Sequence, residues 1–236
     1  DGVRLSKDGF AVSGSVGSGS IPATGAGTRL MWYPGKAALR AGEVDGAQWD
    51  DTNVGQYSVA FGFNTTASVE AATATGSETE ATGIGATATG VRTTASGRQS
   101  LAGGYRTEAS GEGAVALGLN SGASGYASFV MGSTASSAAG SRAVAIGQDV
   151  AATAPNTMAL GAYGEANHEG TFVWSDLTDV STQYFTSTGT HQFLVKARGG
   201  AGFGTNRPYT QLDVQRQVSG SAADTGNHVA NVENTA

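Results

Sequence analysis

Cysteine is absent from the 236-residue chain, so neither a disulfide nor a thiolate metal site is open to it. Charge is scarce as well. Only 14% of residues are charged, no lysine lies between Lys36 and Lys196, and the formal net charge is −6. No basic stripe exists to neutralise a phosphate backbone, which removes nucleic acid from the partner classes. No apolar run approaches the roughly 18 residues of a membrane span, so direct membrane insertion is not expected of this segment. Nothing at Asp1 reads as a signal peptide, and the end at Ala236 falls inside an unfinished segment. The chain therefore reads as a fragment, with export and anchoring signals expected outside it.

Catalytic constellations are missing too. The three histidines, His168, His191 and His228, show no metal-ligand spacing, and none precedes residue 168 to activate an earlier serine. The glycine-rich stretches lack the Lys-Ser/Thr ending of a phosphate loop and the alternating helices of a dinucleotide fold. Glu70, Glu78, Glu80, Glu108 and Glu112 single out no pair for glycoside hydrolysis. Asp45, Asp50 and Asp51 flank Trp49 without the spacing of a calcium loop and read as a solvated turn. The expectation is a protein that is not an enzyme, with no cofactor and no metal.

Against these absences stands one strong regularity. Glycine recurs at Gly62, Gly76, Gly90, Gly104, Gly118 and Gly132 at intervals of 14 residues, then at Gly147 after one extra residue and at Gly161 after 14 again. Each glycine follows a triplet whose centre is almost always alanine: Val59-Ala60-Phe61, Leu101-Ala102-Gly103, Val115-Ala116-Leu117, Phe129-Val130-Met131, Val144-Ala145-Ile146 and Met158-Ala159-Leu160. A second signature follows about five residues later, as in Ala81-Thr82-Gly83 and Ala95-Ser96-Gly97. Two short strands and two turns consume such a unit, and units stacked about 4.8 Å apart build a parallel β-roll; eight of them give a rod of about 38 Å.

Side chains alternate along a strand, so the central alanine takes one face and its two neighbours the other. A roll this narrow has room inside only for small side chains, which puts Val59, Phe61, Leu101, Val115, Leu117, Phe129, Met131, Val144, Ile146, Met158 and Leu160 on the outside, where they need a partner. The reverse assignment is the alternative. The eight repeat glycines are expected at turns, supplying positive φ.

These units, best in Ser58–Ser68, Ala114–Ser124 and Ala143–Gly147, resemble the head repeats of YadA-type trimeric autotransporter adhesins over residues 57–161. The resemblance implies an all-β, left-handed parallel β-roll, homotrimerisation and exposure at a cell surface; it transfers no ligand. Threonine replaces the large apolar residues at Thr73, Thr75, Thr87 and Thr89, departing from that pattern. Good β-formers tolerated at these positions, a hydrated or ion-binding layer on the trimer axis, and an ice-binding ladder are the three readings of that change.

Residues 1–56 lie outside the repeat and are expected to cap the first coil, since an uncapped roll exposes a sheet edge. Trp32, Tyr33 and Trp49 there are expected to pack in a core, with an aromatic sugar platform as the alternative. Residues 162–212 read as a β-rich, trimeric module, and the stretches Asn167–Trp174, Gln192–Val195 and Gly199–Thr205 resemble a module of bacterial and phage fibre proteins. Residues 213–236 read as the start of a further strand segment. The partners expected are two further copies of the chain and a carbohydrate or protein on a target surface, with Trp32, Tyr33, Trp49, Arg92 and Arg106 as contact residues. The function expected is an extracellular adhesin segment working by multivalent attachment; a tail-fibre shaft acting as a spacer is the alternative.

Overall fold

The computed structural model describes residues 2–134, 136–176, 184–203 and 205–214. Two large sheets form its body between Gly27 and Lys196, preceded by a separate antiparallel pair, Gly2–Ser6 with Gly9–Ser13. One holds twelve strands and the other nine, and both are parallel except where the first strand of the longer sheet, Gly27–Tyr33, pairs antiparallel with Ala38–Val44. From Val59–Phe63 to Val144–Gln148 each coil gives a five-residue strand to the long sheet and, after a tight turn, a two-residue strand to the other, as in Thr66–Ala67 and Glu80–Ala81. Ten successive coils reach Phe193–Lys196. The fold is an all-β solenoid with a repeat of 14 residues.

The coil stack outlasts the glycine column that announces it. Phe172–Asp176, Phe185–Thr186 and Phe193–Lys196 extend the same two sheets in register, so residue 161 is not a break in the fold. Leu212–Val214 pairs in parallel with Ala201–Phe203; residues 215–236, where the rest of a further segment was expected, and His228 lie outside the described residues.

Alanine fills the interior because two sheets this close leave room for a methyl group and little more. Ala60, Ala74, Ala88, Ala102, Ala116, Ala145 and Ala159 form one buried column, and Ala67, Ala81, Ala95, Ala109, Ala123, Ala138 and Ala152 face it from the other sheet. Thr65, Thr79, Thr93 and Thr107 form another column of buried side chains. Each alanine buries a methyl, worth about 0.8 kcal/mol, so the ladder of backbone hydrogen bonds between coils must share the work of cohesion with apolar burial.

The repeat glycines do not make the turns. Gly62, Gly76, Gly90, Gly104, Gly118 and Gly161 each sit one residue before a strand's end, with φ between 92° and 123°, and Gly147 is at 141°. Close approach demands them: a Cβ at Gly62 would lie 1.9 Å from the carbonyl oxygen of Gly76, and one at Gly90 would lie 2.0 Å from that of Gly104. Gly132 keeps an ordinary φ, yet a Cβ there would still meet Gly147 O at 2.4 Å. The left-handed turn positions fall two residues later, on Asn64, Glu78, Arg92, Arg106, Asn120, Thr134, Asp149 and Tyr163, with φ from 50° to 60°.

Backbone N–H groups of a coil point both ways: toward the following coil, as in Val59 N to Ala72 O at 2.9 Å and Thr66 N to Thr79 O at 2.8 Å, and toward the preceding one, as in Glu78 N to Phe63 O at 2.8 Å. The first coil therefore presents carbonyl oxygens as well as N–H groups to whatever precedes it, and those carbonyls need donors. Backbone supplies some: Leu39 N reaches Ser58 O at 3.0 Å and Gly55 N reaches Ala67 O at 2.9 Å. The Trp49 indole N–H donates to Thr65 O at 2.8 Å, taking the place that Thr66 N holds one coil later. Arg40, fully buried and in register with Ala60, donates to Ser58 O and Ala67 O at 3.0 Å each and to Ser58 Oγ at 2.8 Å. Arginine and tryptophan carry donors and no acceptors, which suits these carbonyl oxygens.

Candidate functional site

The long sheet's outer face is the largest candidate surface. Strand register aligns its side chains in columns. The middle column runs Leu30, Ala41, Phe61, Thr75, Thr89, Gly103, Leu117, Met131, Ile146, Leu160, Trp174 and Val195. Beside it run Trp32, Leu39, Val59, Thr73, Thr87, Leu101, Val115, Phe129, Val144, Met158, Phe172 and Phe193. Phe172 and Phe193 stack at 4.9 Å between ring centroids. The central alanines are buried while Met131 is 47% exposed, Phe61 38% and Leu30 75%, so the larger residues of each triplet do face outward.

Apolar side chains cover this face on nearly every strand, interrupted by the threonine coils. Thr75 Oγ1 donates to Thr89 Oγ1 at 3.0 Å across that interruption. Twelve strands at about 4.8 Å and five residues at about 3.3 Å each make the face roughly 53 Å by 16 Å, or about 850 Å². That matches one partner's share of a standard protein interface.

The expected ligand contacts do not gather into one site. Trp49 is fully buried and committed to Thr65, so it offers no ring face to a sugar. Tyr33 is 6% exposed and donates its hydroxyl to Asp51 Oδ1 at 2.9 Å. Both rings pack in the cap, the first of the two readings taken from the sequence. Trp32 alternates with buried Met31 and Tyr33 along its strand and belongs to the apolar outer face, level with Leu39 and Val59. Arg92 and Arg106 stand elsewhere, on the exposed turn column at the other end of the strands. Arg92 Nε donates to Glu78 Oε2 at 2.6 Å, and the Arg106 guanidinium lies 5.2 Å from the centre of the Tyr105 ring.

Asp45, Asp50 and Asp51 serve as local acceptors. Asp50 Oδ1 accepts from Gly25 N at 2.6 Å, Asp45 Oδ1 accepts from Gln48 Nε2 at 3.0 Å, and Asp51 pairs with Lys36 at 3.1 Å. Hydrogen bonds from Lys36 and Tyr33 hold the Asp51 carboxyl below its usual range. Burial pulls the Arg40 guanidinium down to about 10, still charged at neutral pH. Among the described residues no group of histidine, aspartate and glutamate is placed to hold a metal ion, and no helix is long and apolar enough to cross a membrane.

Sequence reasoning missed the roles of Arg40, Gly42 and Leu39. Gly42 opens the glycine column, with φ 132° and room for no Cβ against Gly62 O. The 20-residue step from Gly42 to Gly62 hides it from a search for 14. The strand register alone reveals it.

With the coil geometry in place, the family model of the YadA head domain repeat, two copies to a unit, matches residues 54–79, 81–107, 109–135 and 138–163. Residues 54–163 are YadA head repeats. The matched units cover the alanine-filled coils and their glycine columns, which is the part of the chain where one layer's geometry is copied into the next. YadA-type heads are surface-exposed, trimeric adhesins with a structural role. No curated protein matches the chain.

Proposed function

We propose that three copies of this chain close the outer faces of their long sheets around a common axis, forming an extracellular adhesin head that holds a target surface by multivalent contact. The observation that carries this reading is the apolar outer face, half-exposed on a single chain and about the area that a stable interface removes from water. Burying it in a trimer leaves outward the second sheet, with Thr66, Thr94 and Ser110 among the carboxylates Glu80 and Glu108, and the turn column that carries Arg92 and Arg106. Three identical weak sites on one rigid rod raise avidity without any new kind of contact.

Sedimentation of the purified chain at micromolar concentration tests the assembly: a three-chain mass is expected, and a monomer overturns it. Phe129→Asp with Met131→Asp places six carboxylates around one axis and is expected to dissociate the assembly; an unchanged mass means that another face is buried. Attachment is tested on a broad glycan and matrix-protein array. Saturable binding weakened by changing Arg92 and Arg106 supports an adhesive head, whereas a trimer that binds nothing makes this segment a spacer.

A further inference from the structure

The outer face that assembles the trimer has a defect that its own regularity creates. From Leu101 onward, the two apolar columns repeat with every coil: Leu101 with Gly103, Val115 with Leu117, Phe129 with Met131, Val144 with Ile146, Met158 with Leu160. Sliding one copy past another by a single coil, about 4.8 Å, exchanges one apolar pair for another. Volume changes while polarity does not, so these coils discriminate weakly between registers.

Two coils discriminate strongly. Thr73, Thr75, Thr87 and Thr89 occupy the same columns, flanked by Phe61 before and Leu101 and Gly103 after. Each hydroxyl carries one donor and two acceptor sites, and the Thr75 to Thr89 bond uses only part of that capacity. In register, threonine layers of the three copies meet each other and satisfy one another directly or through water. A slip of one coil leaves a threonine layer of each copy against apolar side chains, and a slip of two leaves both, with their hydroxyls unpaired. The layer also lies in the second and third of ten coils, far from the middle. An antiparallel neighbour would set it against the apolar coils near the other end.

We infer that the four-threonine layer, Thr73, Thr75, Thr87 and Thr89, sets the axial register and parallel orientation of the copies and selects which chains co-assemble. The inference rests on the trimer reading above. A polar layer in an otherwise apolar interface fixes partner choice because every wrong alignment buries polar groups without partners.

The test is a chain with its layer moved: Thr73→Val, Thr75→Val, Thr87→Val and Thr89→Val combined with Val115→Thr, Leu117→Thr, Phe129→Thr and Met131→Thr, which lie on adjacent coils. Wild-type and moved-layer chains of different tag mass are refolded together and weighed by native mass spectrometry. Both are expected to form three-chain assemblies, with mixed species below about a tenth of the total, against the roughly three-quarters that random mixing gives. Random mixing overturns the inference. Should the moved-layer chain fail to fold, the four-valine chain replaces it. Ser133→Cys and Gln148→Cys, aligned on neighbouring coils, are placed in separate chains of one background, and the chain's lack of cysteine makes every disulfide the probe's own. The Ser133–Gln148 cross-link is expected to rise at least about fivefold in the valine background; equal yields overturn the inference. A wild-type chain that sediments as a monomer instead defeats the trimer reading itself.

Discussion

The coil stack and the N-terminal cap satisfy the same backbone by different means. In the stack, every coil receives from its neighbour the donors and acceptors that it needs, so one solution repeated ten times suffices. The cap has no preceding coil to borrow from. It meets the first coil's carbonyls with Leu39 and Gly55 backbone and with the side chains of Arg40 and Trp49, each used once. A repeating layer tolerates variation in everything except what lets layers approach, whereas a cap depends on single residues. Their substitutions should differ accordingly.

The largest effect is expected inside the stack at Gly90→Ala. The new Cβ would lie 2.0 Å from Gly104 O with φ at 118°, so the coils must part. A loss of more than about 3 kcal/mol is expected, read as a large fall in Tm or a failure to fold. Gly122→Ala sharpens the point from the same stack, since nothing lies within 4 Å of its Cβ position. A change within about 0.5 kcal/mol is expected there, and equal losses at both positions would refute the close-approach account of the glycine column.

Next comes the cap. Arg40→Ala removes every guanidinium bond to Ser58 and Ala67 and leaves a cavity over the first coil, with an expected cost of about 2–4 kcal/mol in denaturant unfolding. Trp49→Phe keeps most of the buried volume and deletes one donor. The cost of leaving Thr65 O without its indole partner is about 1–3 kcal/mol, and hydrogen exchange should rise first in the opening coils. An unchanged Tm for Trp49→Phe would mean that packing alone explains the buried indole.

The smallest effect is at the exposed rim of the cap. Asp51 is held below its usual carboxylate range by Lys36 and Tyr33, so its contribution is present above about pH 4 and fades as pH falls through its folded pKa. Solvent screens this half-exposed pair, so Asp51→Asn should cost under about 1 kcal/mol at pH 7 and flatten the acid limb of the stability curve. A steeper acid limb in the variant would contradict the assignment.

How much of this was legible beforehand follows from the same contrast. The period of 14, the buried alanines and the outward Phe61 and Met131 could all be read from residues because each coil repeats the constraint and the repetitions average out local noise. The glycines were legible as a column but not in their role, since a turn and a close approach both favour glycine. Trp32 and Trp49 look alike in the sequence; only the register sends one to the outer face and the other under the first coil. Arg40 gave no signal, because a single buried arginine reads like any surface arginine until its carbonyl partners are in place.

By itself, then, the sequence determined a stack of small-cored β coils with one apolar side, because alternation along a strand and a fixed interval are local rules that composition can carry. Only the tertiary structure decided where the stack begins and ends, which donors meet the first coil's carbonyls, and that Trp32, Leu39 and Leu30 prolong the apolar face into the cap. Those outcomes depend on strand register between segments whose spacing in the chain differs from the repeat, and register is a property of pairing rather than of any one stretch of residues.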